Sequence, residues 1–325
     1  MELISPMLAK AVDAVPDTEG LLFEPKWDGF RAIVHVTADG VEIHGRSKPL
    51  TRYFPELVDA FVGMQPCILD GEIVLRSGPA GTERLDWELL SQRIHPADSR
   101  VQKLAAETPA QFVAFDLLSL GFDVPFAERR AALEKLQLSP PIFRTQATTD
   151  AETARRWLVE FEGAGLDGVI AKPLDAVYAP GKRTMLKIKH HRSADVVLLG
   201  YRVHKSGVGV GSLLLGLYDA HGELQNVGGA SAFSDAVRKQ LVEELAPLVT
   251  GAGERERNRF TSGKDTSFVT LEPSRVLEVR YDQMEGSRFR HTVQFERWRP
   301  DRDATSCTFE QLEIPVAYDL TRVLS

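Results

Sequence analysis

Residues 24–35 read EPKWDGFRAIVH, and the run Lys26-Trp27-Asp28-Gly29-Phe30-Arg31 within them has the pattern K-x-D-G-x-R. A lysine, a carboxylate, a glycine and an arginine sit together just before the strand-like run Arg31–Val36. An amine that attacks phosphorus must be neutral, whereas a free lysine titrates near pH ~10.4. Neighbouring cations and burial both disfavour the ammonium form. Arg31, and a metal held through Asp28, would supply the cations, and Gly29 would let backbone approach a phosphate. The same stretch reads equally well as a surface turn, with Asp28-Gly29 opening a hairpin. The decision falls to the motifs further along.

The 325 residues allow two domains or one large one. An apolar content of 43% with 26% charge gives a globular chain with a real core and excludes a disordered one. Cys67 and Cys307 are too few for a disulfide framework and too far apart for a zinc site, which fits a reducing, cytoplasmic setting. The N-terminal MELISPMLAK has no apolar signal region, and no run of 18 apolar residues occurs, so no signal peptide or membrane span is expected. The net charge of −7 speaks against a broadly basic polyanion binder. Any nucleic-acid contact must come from local patches.

Along the chain, residues 1–20 read as irregular, with Met7-Leu8-Ala9 a short apolar anchor. Leu21–Glu24, Arg31–Val36 and Val41–His44 read as strands, and Tyr53–Met64 as a helix. Cys67–Leu75 is an apolar strand interrupted by Asp70-Gly71-Glu72. Two carboxylates there are costly unless paired or bound to a cation; the alternative is a bulge or hairpin that exposes them. Leu85–Ile94, Glu128–Leu138 and Asp150–Gly163 read as helices, the last capped by Thr149 or Asp150. Gln111–Leu120 is a buried strand carrying Phe112, Val113, Phe115, Leu117 and Leu118, and Phe115 taken in isolation reads as plain core packing. Gly165–Lys172 is a further strand carrying Asp167-Gly168. Met185–Lys189 alternates, which puts Lys187 and Lys189 on one face. Such a pair repels unless an anion lies there, or else it guards an exposed edge.

The texture changes near His190–Ala194, giving domains 1–192 and 193–325. Beyond it, strands at 195–204, 212–218 and 224–229, a helix at Ser234–Leu248, and strands at 276–284 and 290–295 suggest an OB-type barrel. Residues 254–259 (ERERNR) read as a solvated loop.

Taken in order, K-x-D-G-x-R at Lys26, then Arg46, Asp70-Gly71-Glu72, Phe115, Asp167-Gly168-x-x-x-Lys172, Lys187-x-Lys189 and Arg297-Trp298-Arg299-Pro300-Asp301-Arg302 resemble the motifs of covalent nucleotidyltransferases. The likeness is closest to ATP-dependent DNA ligases of the small bacterial C type and to the ligase module of bacterial end-joining enzymes. It covers nearly the whole chain. A lone K-x-D-G is weak, but the ordered set is specific.

The resemblance implies an α+β architecture: a nucleotidyltransferase (adenylation) domain of antiparallel sheets with flanking helices, followed by an OB-fold barrel. It makes Lys26 the nucleophile that carries AMP. Glu24 contacts adenine or supports its pocket; Arg31 and Arg46 hold ribose or phosphate; Glu72 binds ribose or helps a metal. Phe115 stacks on adenine with Ile170 on the opposite face. Arg183, Lys187 and Lys189 neutralise phosphate. Arg299, Asp301 and Arg302 close over the triphosphate and orient the departing pyrophosphate. Mg²⁺ or Mn²⁺ is expected near Asp28, Glu72 and Asp167. The implied partners are ATP, nicked double-stranded DNA and DNA-repair proteins, met by a monomer.

Two positions depart from the family pattern. Asp167 stands where glutamate is usual, which draws the carboxylate back by ~1–1.5 Å. Arg302 ends the last motif in place of lysine and keeps its charge. The rival readings are an mRNA-capping guanylyltransferase, an RNA ligase and a non-catalytic OB module. The capping enzyme is separated from a ligase by which labelled nucleotide, GTP or ATP, becomes attached.

Overall fold

The chain divides into one unit of Met1–His190 with Pro315–Ser325 and a second of His191–Ile314. The computed structural model describes residues 3–189, 192–254, 267–312 and 318–324.

The first unit runs β1 (Leu8–Val12), β2 (Leu21–Pro25), β3 (Phe30–Thr37), β4 (Gly40–Gly45), α1 (Pro55–Phe61), β5 (Cys67–Val74), β6 (Arg76–Ser77), β7 (Arg84–Leu85), α2 (Trp87–Ser91) and α3 (Asp98–Glu107). It continues with β8 (Gln111–Leu117), α4 (Phe126–Lys135), β9 (Ile142–Arg144), α5 (Ala151–Glu160), β10 (Val169–Pro173) and β11 (Arg183–Ile188). A four-stranded sheet is ordered β1-β11-β10-β2, and a five-stranded sheet β4-β3-β5-β8-β9. Every residue of β8 is buried, because the strand is covered on both faces. Phe54, Leu57 and Phe61, at and within α1, pack with Leu69, Ile73 and Phe112 of β5 and β8. Asp150 caps α5 by accepting from the Glu152 and Thr153 amides.

The chain crosses from one sheet to the other at residues 26–29. The β2–β10 pairing runs past the strand ends: Lys26 N donates to Gly168 O at 2.8 Å, and Asp167 N to Lys26 O at 3.0 Å. Four residues on from Lys26, β3 pairs with β5 in the other sheet, Phe30 opposite Ile73. The hairpin reading of Asp28-Gly29 is therefore corrected. A Cβ on Gly29 would sit 2.0 Å from Ile73 O, and one on Gly168 2.0 Å from Ile188 O. Glycine is needed at both places because backbone from the next strand already fills the space.

One element departs from the expectation of irregular chain at residues 1–20, and another falls where no element was read. Residues 8–12 form an edge strand, parallel to β11. Residues 98–107 form α3, which buries Val101 and Leu104.

The second unit holds β12 (Arg192–Val203), β13 (Val210–Tyr218), β14 (Leu224–Ala230), α6 (Asp235–Leu245), β15 (Val249–Glu254), β16 (Ser267–Leu271), β17 (Val276–Tyr281), β18 (Met284–Glu285), β19 (Arg288–Phe289) and β20 (Gln294–Trp298). Its seven-stranded sheet joins β14-β13-β12-β16-β15, with β17 pairing both β12 and β20. As expected of an OB fold, a helix follows the third strand, and Ser234 caps it. β15 and β16 were not foreseen. Most of the 254–259 stretch lies outside the described residues.

The end of the chain corrects the 193–325 division. Leu320 and Val323 are fully buried in an apolar cluster of the first unit, with Trp27, Phe115 and Phe161. Among the described residues, no helix is long and apolar enough to cross a membrane.

Candidate active site

A cavity of about 310 Å³ opens in the first unit, lined from both sheets. From the four-stranded sheet come Glu24 of β2, Ile170 and Lys172 of β10, and Arg183, Met185 and Lys187 of β11. Alternate residues of β11 reach it, as the period of a strand requires. From the five-stranded sheet come Arg31, Glu72 and Phe115, with Arg46 just after β4. Lys26 lies at the crossing between the sheets and lines the same space.

Lys26 Nζ contacts Asp167 Oδ2 at 2.5 Å, and Lys189 Nζ contacts the same oxygen at 3.0 Å. Burial acts to raise the Asp167 titration point, but the two ammonium groups outweigh it and hold the carboxyl below the usual range. Lys187 makes no ion pair among the described residues; burial, with Lys26 and Lys189 nearby, lowers its titration point against the opposing pull of Asp167. Arg46 and Arg183 likewise line the cavity with no ion pair among the described residues. Unpaired cations facing one cavity make a site for a polyanion.

Phe115 reaches the cavity through an irregularity of its strand. Asp70 pairs with Asp116 and Gly71 with Ala114, so Phe115 is the extra residue of a bulge. The alternative of a bulge or hairpin that exposes Asp70 and Glu72 is corrected: the extra residue lies on the opposite strand, and Asp70 is fully buried and paired with Arg31. Lys172 Nζ donates to the freed Phe115 carbonyl at 3.1 Å. The Arg31 guanidinium lies 4.2 Å from the Phe115 ring centre.

Arg31 itself is clamped: its Nε and Nη2 donate to the two oxygens of Asp70 at 2.6 and 2.7 Å. Burial opposes its charge, but Asp70 overcomes this and raises its titration point further. Asp70 also accepts from the Tyr178 hydroxyl at 2.7 Å, and that hydroxyl accepts from Met7 N at 3.3 Å. Glu24 meets Lys172 at 2.7 Å and Arg130 at 3.4 Å. Burial raises the Glu24 titration point while those two cations oppose it. Its carboxylate is therefore occupied by the protein, which fits a supporting part in the pocket.

Burial pushes the Glu72 carboxyl up to about 7, against the pull of Arg31 and Lys26. Glu72 Oε1 accepts from Gly29 N at 3.1 Å. Among the described residues no three acidic, histidine or cysteine groups gather as a metal cluster, so Asp28, Glu72 and Asp167 do not form one. The reason is that Asp167 is turned to Lys26 and Lys189, and Glu72 to the Gly29 amide.

In the second unit, Arg299 donates to both oxygens of Asp195 at 2.9 and 3.0 Å and pairs with Asp301 at 2.8 Å. Arg302 lies 3.6 Å from Asp195, and Arg297 meets Glu278 at 2.6 Å. The arginine cluster is charge-balanced by its own unit, which explains how it stays together.

Lys172, Asp70, Tyr178 and the β1 segment are parts of the site that residue patterns did not assign. Lys172 stood in an ordered motif without a role, and Tyr178 carried no local signal.

A family model described as ATP dependent DNA ligase domain matches residues 6–189. One described as ATP dependent DNA ligase C terminal region matches residues 206–302. DNA ligase C of Mycobacterium tuberculosis is 53% identical, across 100% of this chain and 98% of its own. DNA ligase C2 of Mycolicibacterium smegmatis is 54% identical, across 96% and 95%. A solved structure titled "DNA binding with a minimal scaffold: Structure-function analysis of Lig E DNA ligases" is similar in fold, with a TM-score of 0.59 at 17% identity, covering 92% of this chain and 100% of that one.

Proposed function

Because the chain belongs to the ATP-dependent DNA ligase family, we propose that it seals nicks in duplex DNA through AMP carried on Lys26. The observation that carries this reading is the position of Lys26. Lys26 lines a cavity that is also lined by an aromatic ring, Phe115, and by three cations with no ion pair among the described residues, Arg46, Arg183 and Lys187. Phosphoryl transfer asks for in-line placement and charge neutralisation, and little else.

In the first step Lys26 Nζ, freed of its proton and its Asp167 contact, attacks the α-phosphorus of ATP. The P–N bond forms as the bond to pyrophosphate breaks. Arg183 and Lys187 meet the phosphates, and Phe115 with Ile170 encloses the adenine. Arg31, Arg46 and Glu72 hold ribose and phosphate, and Lys189 keeps Asp167 in place. AMP then passes to the 5′-phosphate at a nick, and the 3′-hydroxyl displaces it.

Mg²⁺ or Mn²⁺ takes only one or two carboxylates beside phosphate oxygens and waters, so it would be held by carboxylates singly and not by a cluster of three. Glu72, Asp167 and Asp28 are the carboxylates on offer, and a bound cation would neutralise phosphate charge. Arg299, Arg302 and Asp301 serve the departing pyrophosphate. The same reading takes a monomer as the working form and DNA repair as its setting, with repair proteins as partners.

Incubation with labelled ATP tests the reading. Lys26→Ala should take up no AMP, and peptide mass mapping of the wild-type chain should place the adduct on Lys26. Lys26→Arg should fail too, since a guanidinium stays protonated. An adduct mapped to another residue would sink the assignment.

A further inference from the structure

The last described residues, 318–324, belong to the first unit and pack in the cluster of Trp27, the neighbour of Lys26. Leu320 and Val323 are fully buried, and they share an apolar cluster with Trp27, Phe115 and Leu166. Trp27 follows Lys26, and Leu166 precedes Asp167, the partner of Lys26. The Tyr318 and Phe161 rings lie 5.2 Å apart, and Phe161 lies 5.4 Å from Trp157.

Polar contacts pin the same segment. Leu320 N donates to Glu83 O at 3.1 Å. Gln146 Nε2 donates to Arg322 O at 2.6 Å. Leu324 bridges to Thr145. Thr145 is a junction: its hydroxyl accepts from the Trp27 indole N–H at 2.9 Å, and its carbonyl accepts from Arg130 Nη2 at 3.1 Å. Arg130 in turn meets Glu24 on the cavity wall. A chain of contacts therefore runs from the tail, through Thr145 and Trp27, to the backbone that presents Lys26.

We infer that residues 318–324 are a positioning element for the adenylylation step, bracing Trp27 and Thr145 so that Lys26 is presented to the α-phosphate. The tail touches none of the reacting atoms and does not line the cavity; it acts through Trp27. This rests on Lys26 being the nucleophile, so Lys26→Ala is the control that tests that reading separately.

The test is the full-length double variant Leu320→Ala/Val323→Ala, followed in two assays. One measures the single-turnover rate of self-adenylylation from labelled ATP. The other measures sealing of a nick already carrying AMP on its 5′-phosphate, which needs no attack by Lys26. A positioning role predicts a fall of about ten-fold or more in the first rate, while the second stays within about three-fold. Leu320→Met, which keeps the volume, should restore adenylylation. Equal loss in both assays would mean the tail only holds the fold together, and an unchanged first rate would mean it does nothing for Lys26; either overturns the inference. If Lys26→Ala still takes up AMP, the assignment of the nucleophile has failed instead.

Discussion

Burial of Glu72 gives the site a pH signature. Burial pushes its carboxyl up to about 7 in the folded chain, against an ordinary value of 4.5. The folded state thus binds this proton more tightly than the unfolded one. Stability is fullest below the ordinary value and is lost as pH rises towards 7, by about 3 kcal/mol at ~1.36 kcal/mol per unit. Glu72→Gln removes that slope. Melting curves between pH 5 and 8 should show the wild type losing ground to the variant as pH rises; parallel curves would reject the assignment. Gly29 makes a second residue-scale case. Its Cβ position lies 2.0 Å from the Ile73 carbonyl, so Gly29→Ala must push two strands apart. The expected cost is about 1–3 kcal/mol in denaturant unfolding, together with a loss of AMP uptake. A stable, active Gly29→Ala chain would contradict the close approach. At this scale the sequence was informative about which residues matter and silent about why. Asp-Gly looks the same in a hairpin and in a sheet crossing, because only the neighbouring strand distinguishes them.

Among the elements, local patterns carried most of the helices and most of the strands around the site, but not α3, β1, β15 or β16. The spacing of Leu57 and Phe61 and the Asp150 cap mark real helices, and the alternation of β11 does deliver Lys187 to the cavity. β1 escaped because its partner β11 lies far along the chain and Leu-Ala-Lys-Ala-Val has little strand character of its own. Yet β1 is tied to the site, since the Met7 amide just before it meets the Tyr178 hydroxyl that supports Asp70 and hence Arg31. Tyr178→Phe keeps the ring and deletes that link. It should cost about 1.5–3 kcal/mol, the usual worth of a hydrogen bond to a charged group. It should also raise the KM for ATP several-fold in the adenylylation assay. An unaltered KM would mean that Asp70 holds Arg31 without help.

For the molecule as a whole, the arginines of the second unit pose the open mechanistic choice. Arg299 and Arg302 are balanced by Asp195 and Asp301, and ATP would have to compete with those carboxylates. Arg299→Ala/Arg302→Ala should abolish AMP uptake without DNA while a pre-adenylylated nick is still closed slowly. The opposite pattern, normal uptake with nick binding that depends less on salt, would mark the pair as a DNA clamp. Substitution is the right tool here. Truncation from Arg297 onward would also remove Leu320 and Val323 from the first unit's core. That return of the chain has a consequence for synthesis. Protein chains emerge from the ribosome amino end first, so the cluster around Trp27 stays open until all of the second unit has been made. A transcript cut short, or a nascent chain still being extended, carries every motif residue of the first unit but not its finished core. The order of translation thereby makes synthesis through Val323 a condition for building the nucleophile's surroundings.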